Sequence, residues 1–256
     1  MLKVIKIASV LLLAVMLAGV AVLWNLRTQP IHITPLMKSE YTKTGIVPQQ
    51  KWLPLDKISP EIIRSVIACE DNNFFFHYGF DIEAIQYALD RNQRGSKVYG
   101  ASTITQQTVK NVFLSPERTW ARKGAELVLA VLVEFVWGKE RIMEVYLNVI
   151  EMGENVYGIG AAAEHYFHKQ AIDLTMDEAM MIAIALPNPK RFNPAAPSKY
   201  MRERQEQVYE MMNKLLKTGW YKNVKDIKQI KVNYLEAFPV VHKETDTVTN
   251  EVETSE

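Results

Sequence analysis

Residues 59–70 read Ser-Pro-Glu-Ile-Ile-Arg-Ser-Val-Ile-Ala-Cys-Glu, and the spacing of apolar residues here sets the class of fold. Ser59 is a good N-cap, and Pro60 suits a first helical turn because its missing N–H has no helical partner there. Ile63, Val66, Ile67 and Glu70 then recur at i, i+3, i+4 and i+7, which is one face of a helix. The same punctuation recurs at Ser115-Pro116-Glu117, read as the start of a long helix that Gly138 ends. A further helix is expected from Lys139 to Asn148, and others over 161–168, 177–186 and 199–217. No stretch alternates strictly over strand length, so the domain, spanning 52–220, is read as mainly α.

The composition excludes several classes. With 48% hydrophobic and 23% charged residues, the 256-residue chain is globular rather than disordered. A formal net charge of +1 offers no bulk attraction to nucleic acid. The single cysteine, Cys69, excludes an internal disulfide framework. From Ile7 to Trp24 the chain carries no charge, close to the roughly 20 residues that cross a bilayer. Lys3 and Lys6 precede this run, so residues 1–6 are expected in the cytoplasm and the remainder outside it. A cleaved signal peptide is the alternative, with small residues at 18–21, although the run exceeds the usual apolar core of roughly 7–15 residues. Residues 25–51, with scattered prolines, read as a tether. Residues 221–256 read as a tail, partly disordered, whose end is acidic and threonine-rich.

Glu70 closes an apolar stripe and is followed by Asp71. A carboxylate turned towards a core beside another acid resists ionisation, which makes it a usable proton acceptor near neutrality. The competing reading is a helix-end carboxylate pointing to water. The aromatics at 74–76 suit core packing better than a cleft wall, and His77 reads as a hydrogen-bonded structural histidine. Residues 100–107, Gly-Ala-Ser-Thr-Ile-Thr-Gln-Gln, are dense in uncharged polar groups. If Ser102 caps a helix, the free N–H groups beside it suit a phosphate, with Thr103, Gln106 and Lys110 on one face. A polar helix surface is the alternative. Arg118, Arg122 and Glu126 recur at i, i+4 and i+8 beside Lys123, either as a directed charged cluster or as a solvated face. Two strings are set aside. Gly158-Ile-Gly-Ala-Ala-Ala163 lacks the preceding strand that dinucleotide binding needs, and Glu164–His168 lacks metal-site spacing.

The motifs ACEDNNFFFHYGFD (68–81), GASTITQQTVKN (100–111), RKGAE (122–126) and KERIMEVYLN (139–148), in that order, resemble the signatures of glycosyltransferase family 51, the peptidoglycan glycosyltransferases. EMGENVYGIGAAAEHYF (151–167) resembles the monofunctional biosynthetic transglycosylases within it. The resemblance spans about residues 52–217. It implies a lysozyme-like helical catalytic domain behind a single N-terminal transmembrane helix, at the outer face of the cytoplasmic membrane. The implied reaction joins lipid II to a growing glycan strand with release of undecaprenyl diphosphate and inversion at the anomeric carbon. By motif match Glu70 is the general base and Glu126 the second essential glutamate. Lys110 and Arg118 match residues that contact the departing diphosphate, while Ser102, Gln106, Gln107 and Arg122 fall on cleft positions. No cofactor or metal ligand is implied as required, although divalent metal ions assist some members. The implied partners are lipid II, the nascent strand, the membrane and other wall-synthesis proteins. A fifth motif, R-x-x-x-V-L, aligns with Arg204–Tyr209, with Tyr in place of Leu. No serine is followed by lysine three places on, so no acyl-transferring serine of the transpeptidase type is expected. A glycan hydrolase would need no cationic clamp for a neutral leaving group, so Lys110 and Arg118 favour synthesis. A non-catalytic scaffold would leave the acids, amides and cations without a role.

Overall fold

The computed structural model describes residues 2–95 and 100–217; the acidic tail and residues 218–220 lie outside them. Helix α3 (Pro60–Glu70) forms where its start signals place it, with the Ser59 hydroxyl accepting the Glu61 N–H at 3.3 Å. It packs mainly on α8 (Met176–Ala185), in which every residue from Ala179 to Ala185 is buried. A helix apolar on all sides belongs at the centre of a domain. Thr175 and Glu178 cap it reciprocally. Helix α9 (Lys199–Lys217) lies against both. On the other side α5 (Ile104–Phe113) packs along α6 (Trp120–Val149), the largest helix pairing in the fold.

Two expected boundaries moved. The cap of α5 is Thr103, not Ser102: its hydroxyl accepts the Gln106 N–H while the Gln106 side chain accepts the Thr103 N–H. Helix α6 starts at Trp120 under the Thr119 cap, not at Ser115. Ser115 instead closes a local turn by accepting the Glu117 N–H at 3.3 Å. Arg118 therefore precedes α6 and does not share the Arg122–Glu126 face. Gly138 does interrupt α6, with φ 72° and ψ 169°, a conformation open to glycine and costly for other residues.

The stretch read as a tether holds folded elements. Thr34 accepts the Met37 N–H and opens α2 (Pro35–Thr44), whose Met37 is fully buried. Gln49–Gln50 form β1, parallel to β3 (Val156–Tyr157), which pairs antiparallel with β2 (Glu151–Gly153). Strands of two or three residues leave no alternation to read. Helix α4 (Ile82–Arg94), capped by Asp81, was also unread. Helix α7 (Ile159–Phe167) does follow a strand, β3, yet its glycines serve packing. A Cβ on Gly158 would lie 2.5 Å from the Asn148 carbonyl oxygen, and one on Gly160 2.3 Å from that of Lys51. Protein backbone fills the space a pyrophosphate would need.

Helix α1 (Leu2–Leu26) contains the 18-residue run Ser9–Leu26, long and apolar enough to cross a membrane, with mean hydropathy 2.3. Its foot is fastened to α6. Trp137 Nε1 donates to the Leu23 carbonyl at 2.8 Å, and Arg141 Nη2 donates to those of Leu26, at 2.9 Å, and Gln29.

One buried amide holds the second half of α6 to the chain entering the domain. Asn148 Oδ1 accepts the Leu53 N–H, and Nδ2 donates to the carbonyls of Leu53 and Glu144, all at 2.8 Å. Asn148→Ala leaves the half-buried Leu53 backbone groups unpaired, so a loss of about 1–3 kcal/mol is expected in denaturant unfolding. A loss below about 0.5 kcal/mol would show that water replaces the amide.

Candidate functional site

Helix α3 delivers Glu70 at its last turn, and α5 brings Gln107 to meet it. Gln107 Nε2 donates to Glu70 Oε2 at 2.8 Å, and the buried Tyr146 hydroxyl lies 3.4 Å from Gln107 Oε1. Burial raises the Glu70 pKa above the usual carboxylate value, and the neighbouring Asp71 charge adds to the rise. The Gln107 hydrogen bond, Lys110 and Arg204 act in the opposite direction. Glu70 is half-buried, so it keeps a face towards solvent. It is neither a core carboxylate nor a freely solvated one.

Asp71, next in the chain, is used structurally. Its carboxylate lies 3.0 Å from His77 Nε2 and accepts the Ile104 N–H at 2.9 Å. Because the Gly79 N–H donates to His77 Nδ1, the ring proton sits on Nε2 and points at Asp71. Thr103 Oγ1 donates to the Gly79 carbonyl at 2.6 Å. These bonds clamp the end of α3 to the start of α5, and that clamp sets Glu70 opposite Gln107. Phe74 is fully buried, as its packing role requires, whereas Tyr78 stays exposed and stacks on Phe135.

A second region opens between α5 and α6. A cleft of about 390 Å³ is lined by Ser102, Lys110, Arg118, Trp120, Arg122, Lys123 and Glu126 among others. Glu126 is buried and bridges two cations, Arg122 Nη1 at 2.8 Å and Lys123 Nζ. Lys123 also reaches the Ser102 hydroxyl at 3.4 Å. Lys110 donates to no side chain among the described residues. Burial lowers its pKa, attraction to Glu126 opposes the fall, and Arg122, Lys123 and Arg118 reinforce it. Four cations against one carboxylate, with the central ammonium unpaired, make a cleft in need of an anion.

Helix α5 joins the two regions. Lys110 sits one turn beyond Gln107, and its charge is felt by Glu70 and answered by Glu126. The structure thus brings Ser102, Lys110, Arg118, Arg122 and Glu126 around one cleft and pairs Gln107 with Glu70. Gln106 is different: it is buried and occupied by the helix cap. Sequence reading under-weighted Lys123, whose position three residues before Glu126 was a usable signal. Arg204 opens the R-x-x-x-V-L string of α9. Its charge reaches Glu70, a long-range relation between α9 and α3 that spacing does not encode. Within that motif Val208 is buried and Tyr209 is exposed, so a tyrosine there meets solvent rather than the core.

A helical body that sets a half-buried carboxylate beside a cationic cleft offers a proton acceptor next to a seat for an anionic group. A protein-family model described as Transglycosylase matches residues 34–213. The chain is 44% identical over 216 residues to a biosynthetic peptidoglycan transglycosylase of Bacteroides thetaiotaomicron, covering 82% of this chain and 87% of that protein. Its identity to a protein of the same description from Rhodospirillum centenum is 43% over 208 residues, 81% and 89% of the two chains. For one from Yersinia pseudotuberculosis the identity is 47% over 170 residues, 66% and 70% of the two. The chain belongs to the transglycosylase family, and its fold is the mainly α, lysozyme-like domain behind an apolar N-terminal helix.

Proposed function

We propose that this peptidoglycan transglycosylase polymerises lipid II at the outer face of the cytoplasmic membrane and makes no peptide cross-links. The observation that carries the proposal is helix α5, which holds a base-positioning amide and an unpaired, half-buried ammonium one turn apart. Glu70 takes the proton of the C4 hydroxyl of an incoming lipid II. The freed oxygen forms a bond to the anomeric carbon of the growing strand from the face opposite the leaving group. The bond from that carbon to the diphosphate breaks, and undecaprenyl diphosphate departs with the electron pair, met by Lys110 and Arg118. Glu126 holds Arg122 and Lys123 in place beside it. The apolar helix and the basic residues Lys3 and Lys6 support a single crossing with the domain outside. Incubating the purified protein with labelled lipid II tests the reading: polymer supports it, cleavage of finished glycan marks a hydrolase, and no product marks a scaffold.

Two further outcomes are expected. Gln107 stabilises the charged form of Glu70, so Gln107→Ala raises the base's pKa further. The acid limb of the turnover–pH profile should then move to higher pH, with activity largely recovered in alkaline buffer. An unmoved limb would separate Gln107 from the base. Fluorescent penicillin should leave this protein unlabelled, because no serine in the sequence has a lysine three places on. A labelled band at its mass would refute that.

A further inference from the structure

Tyr146 is fully buried, yet it carries a hydroxyl into the neighbourhood of Glu70. It belongs to the part of α6 beyond Gly138, at a level where a phenylalanine would fill the core without a polar atom to satisfy. The hydroxyl donates to Gln107 Oε1 at 3.4 Å, and the other end of the same amide, Nε2, donates to Glu70 Oε2 at 2.8 Å. The three side chains come from α6, α5 and α3. Their donors all point one way, from hydroxyl to amide to carboxylate.

That direction has a chemical reason. A carboxylate only accepts, so an ionised Glu70 needs the N–H end of Gln107. The amide oxygen is then turned towards α6, where a carbonyl left without a donor would carry a desolvation cost. The Tyr146 hydroxyl removes that cost in this orientation. Its donation also polarises the amide and strengthens the N–H that faces Glu70. Without the hydroxyl, the donor that the amide oxygen can reach is a protonated Glu70, met by turning the amide over. Loss of the hydroxyl thus favours the neutral acid.

We propose that Tyr146 is a positioning residue for the base: it holds the Gln107 amide with its N–H towards Glu70 and so favours the carboxylate that accepts the proton of the incoming hydroxyl. The role rests on Glu70 being that base. The charged groups around Glu70 are Asp71 at the end of α3, Lys110 on α5 and Arg204 on α9. Its neighbour Cys69 stays a neutral thiol, because burial pushes it up to about 12. None of these is altered when the Tyr146 hydroxyl is removed, so a shift in the Glu70 titration reports the amide.

The test needs no turnover. The full chain in detergent is isotope-labelled at the glutamate side-chain carboxyls, and the Glu70 magnetic resonance signal is identified by its loss in Glu70→Gln. Tyr146→Phe should move the Glu70 titration up by roughly half a pH unit, the scale of one neutral hydrogen bond. On a Gln107→Ala background the same substitution should have no effect, because the amide that carries it is absent. The acid limb of the turnover–pH profile should follow to higher pH, with kcat recovered in alkaline buffer and KM for lipid II little changed. A hydroxyl that serves the core alone would lower the melting temperature and leave the titration unmoved, which overturns the proposal. An equal shift without Gln107 overturns it too, since the hydroxyl would then act on Glu70 directly. The expected titrations in a protein that makes no polymer would support the Tyr146–Gln107–Glu70 coupling while refuting lipid II synthesis.

Discussion

Glu70→Gln is expected to lower polymerisation of lipid II at least ~100-fold, the contribution of a positioned proton acceptor. The amide has the volume of the carboxylate and can still accept the Gln107 N–H, so the junction of α3 with α5 should survive. Burial already works against charge at this position, and removing the charge should leave the melting temperature unchanged or slightly higher. The informative result is therefore a folded, substrate-binding protein that does not turn over. A variant that retained more than about a tenth of the parent rate would exclude Glu70 as the base. Glu70→Asp is a useful companion: it keeps the charge but withdraws it by one methylene, so a strong loss there shows that placement as well as ionisation matters.

Lys110→Ala should reduce turnover by roughly 10²–10³-fold, with a smaller rise in KM, because charge on the leaving diphosphate grows as its bond breaks. The arrangement allows a clean reading. Glu126 keeps Arg122 and Lys123 as partners, so no buried carboxylate is stranded when Lys110 is truncated. Arg118→Ala should act the same way with even less effect on folding, since Arg118 is exposed and lies outside α6. Arg118→Lys should rescue only in part, because an ammonium cannot reproduce the paired donors of a guanidinium. Rates at saturating lipid II, measured with melting temperatures for each variant, decide the matter. Near-parent rates in both alanine variants would remove the diphosphate clamp and favour a hydrolase.

Much of this molecule is a local property of its sequence. The apolar period over 63–70, the Ser59-Pro60 start and the uncharged run from Ile7 to Trp24 are statements about neighbouring residues, and each became the helix that its spacing implies. Glu70 stood out because a carboxylate on an apolar stripe is anomalous within a single turn. Helix boundaries were less legible, since Ser115 and Thr119 are both competent caps and the choice depends on what the following residues bury. The ordered segment at 35–50 was missed for a related reason. Its strand is two residues long and pairs in parallel with Val156 and Tyr157, with Gln49 N–H donating to the Asn155 carbonyl, more than a hundred positions away.

The division of labour at the site was decided by tertiary contact. Gln106 and Gln107 are adjacent and chemically identical, yet one is spent on a helix cap and the other on Glu70, because α5 presents them to different surroundings. Asp71 and Glu70 are adjacent acids, and only the packing of the 71–79 loop against α5 turns Asp71 into a buried clamp. Residue type and spacing, which the chain carries locally, were enough to single out most of the polar groups that the structure gathers at the two regions. Which of them keep their charge unpaired and which are consumed by structure depends on burial and on partners distant in sequence, and those exist only once the helices have packed.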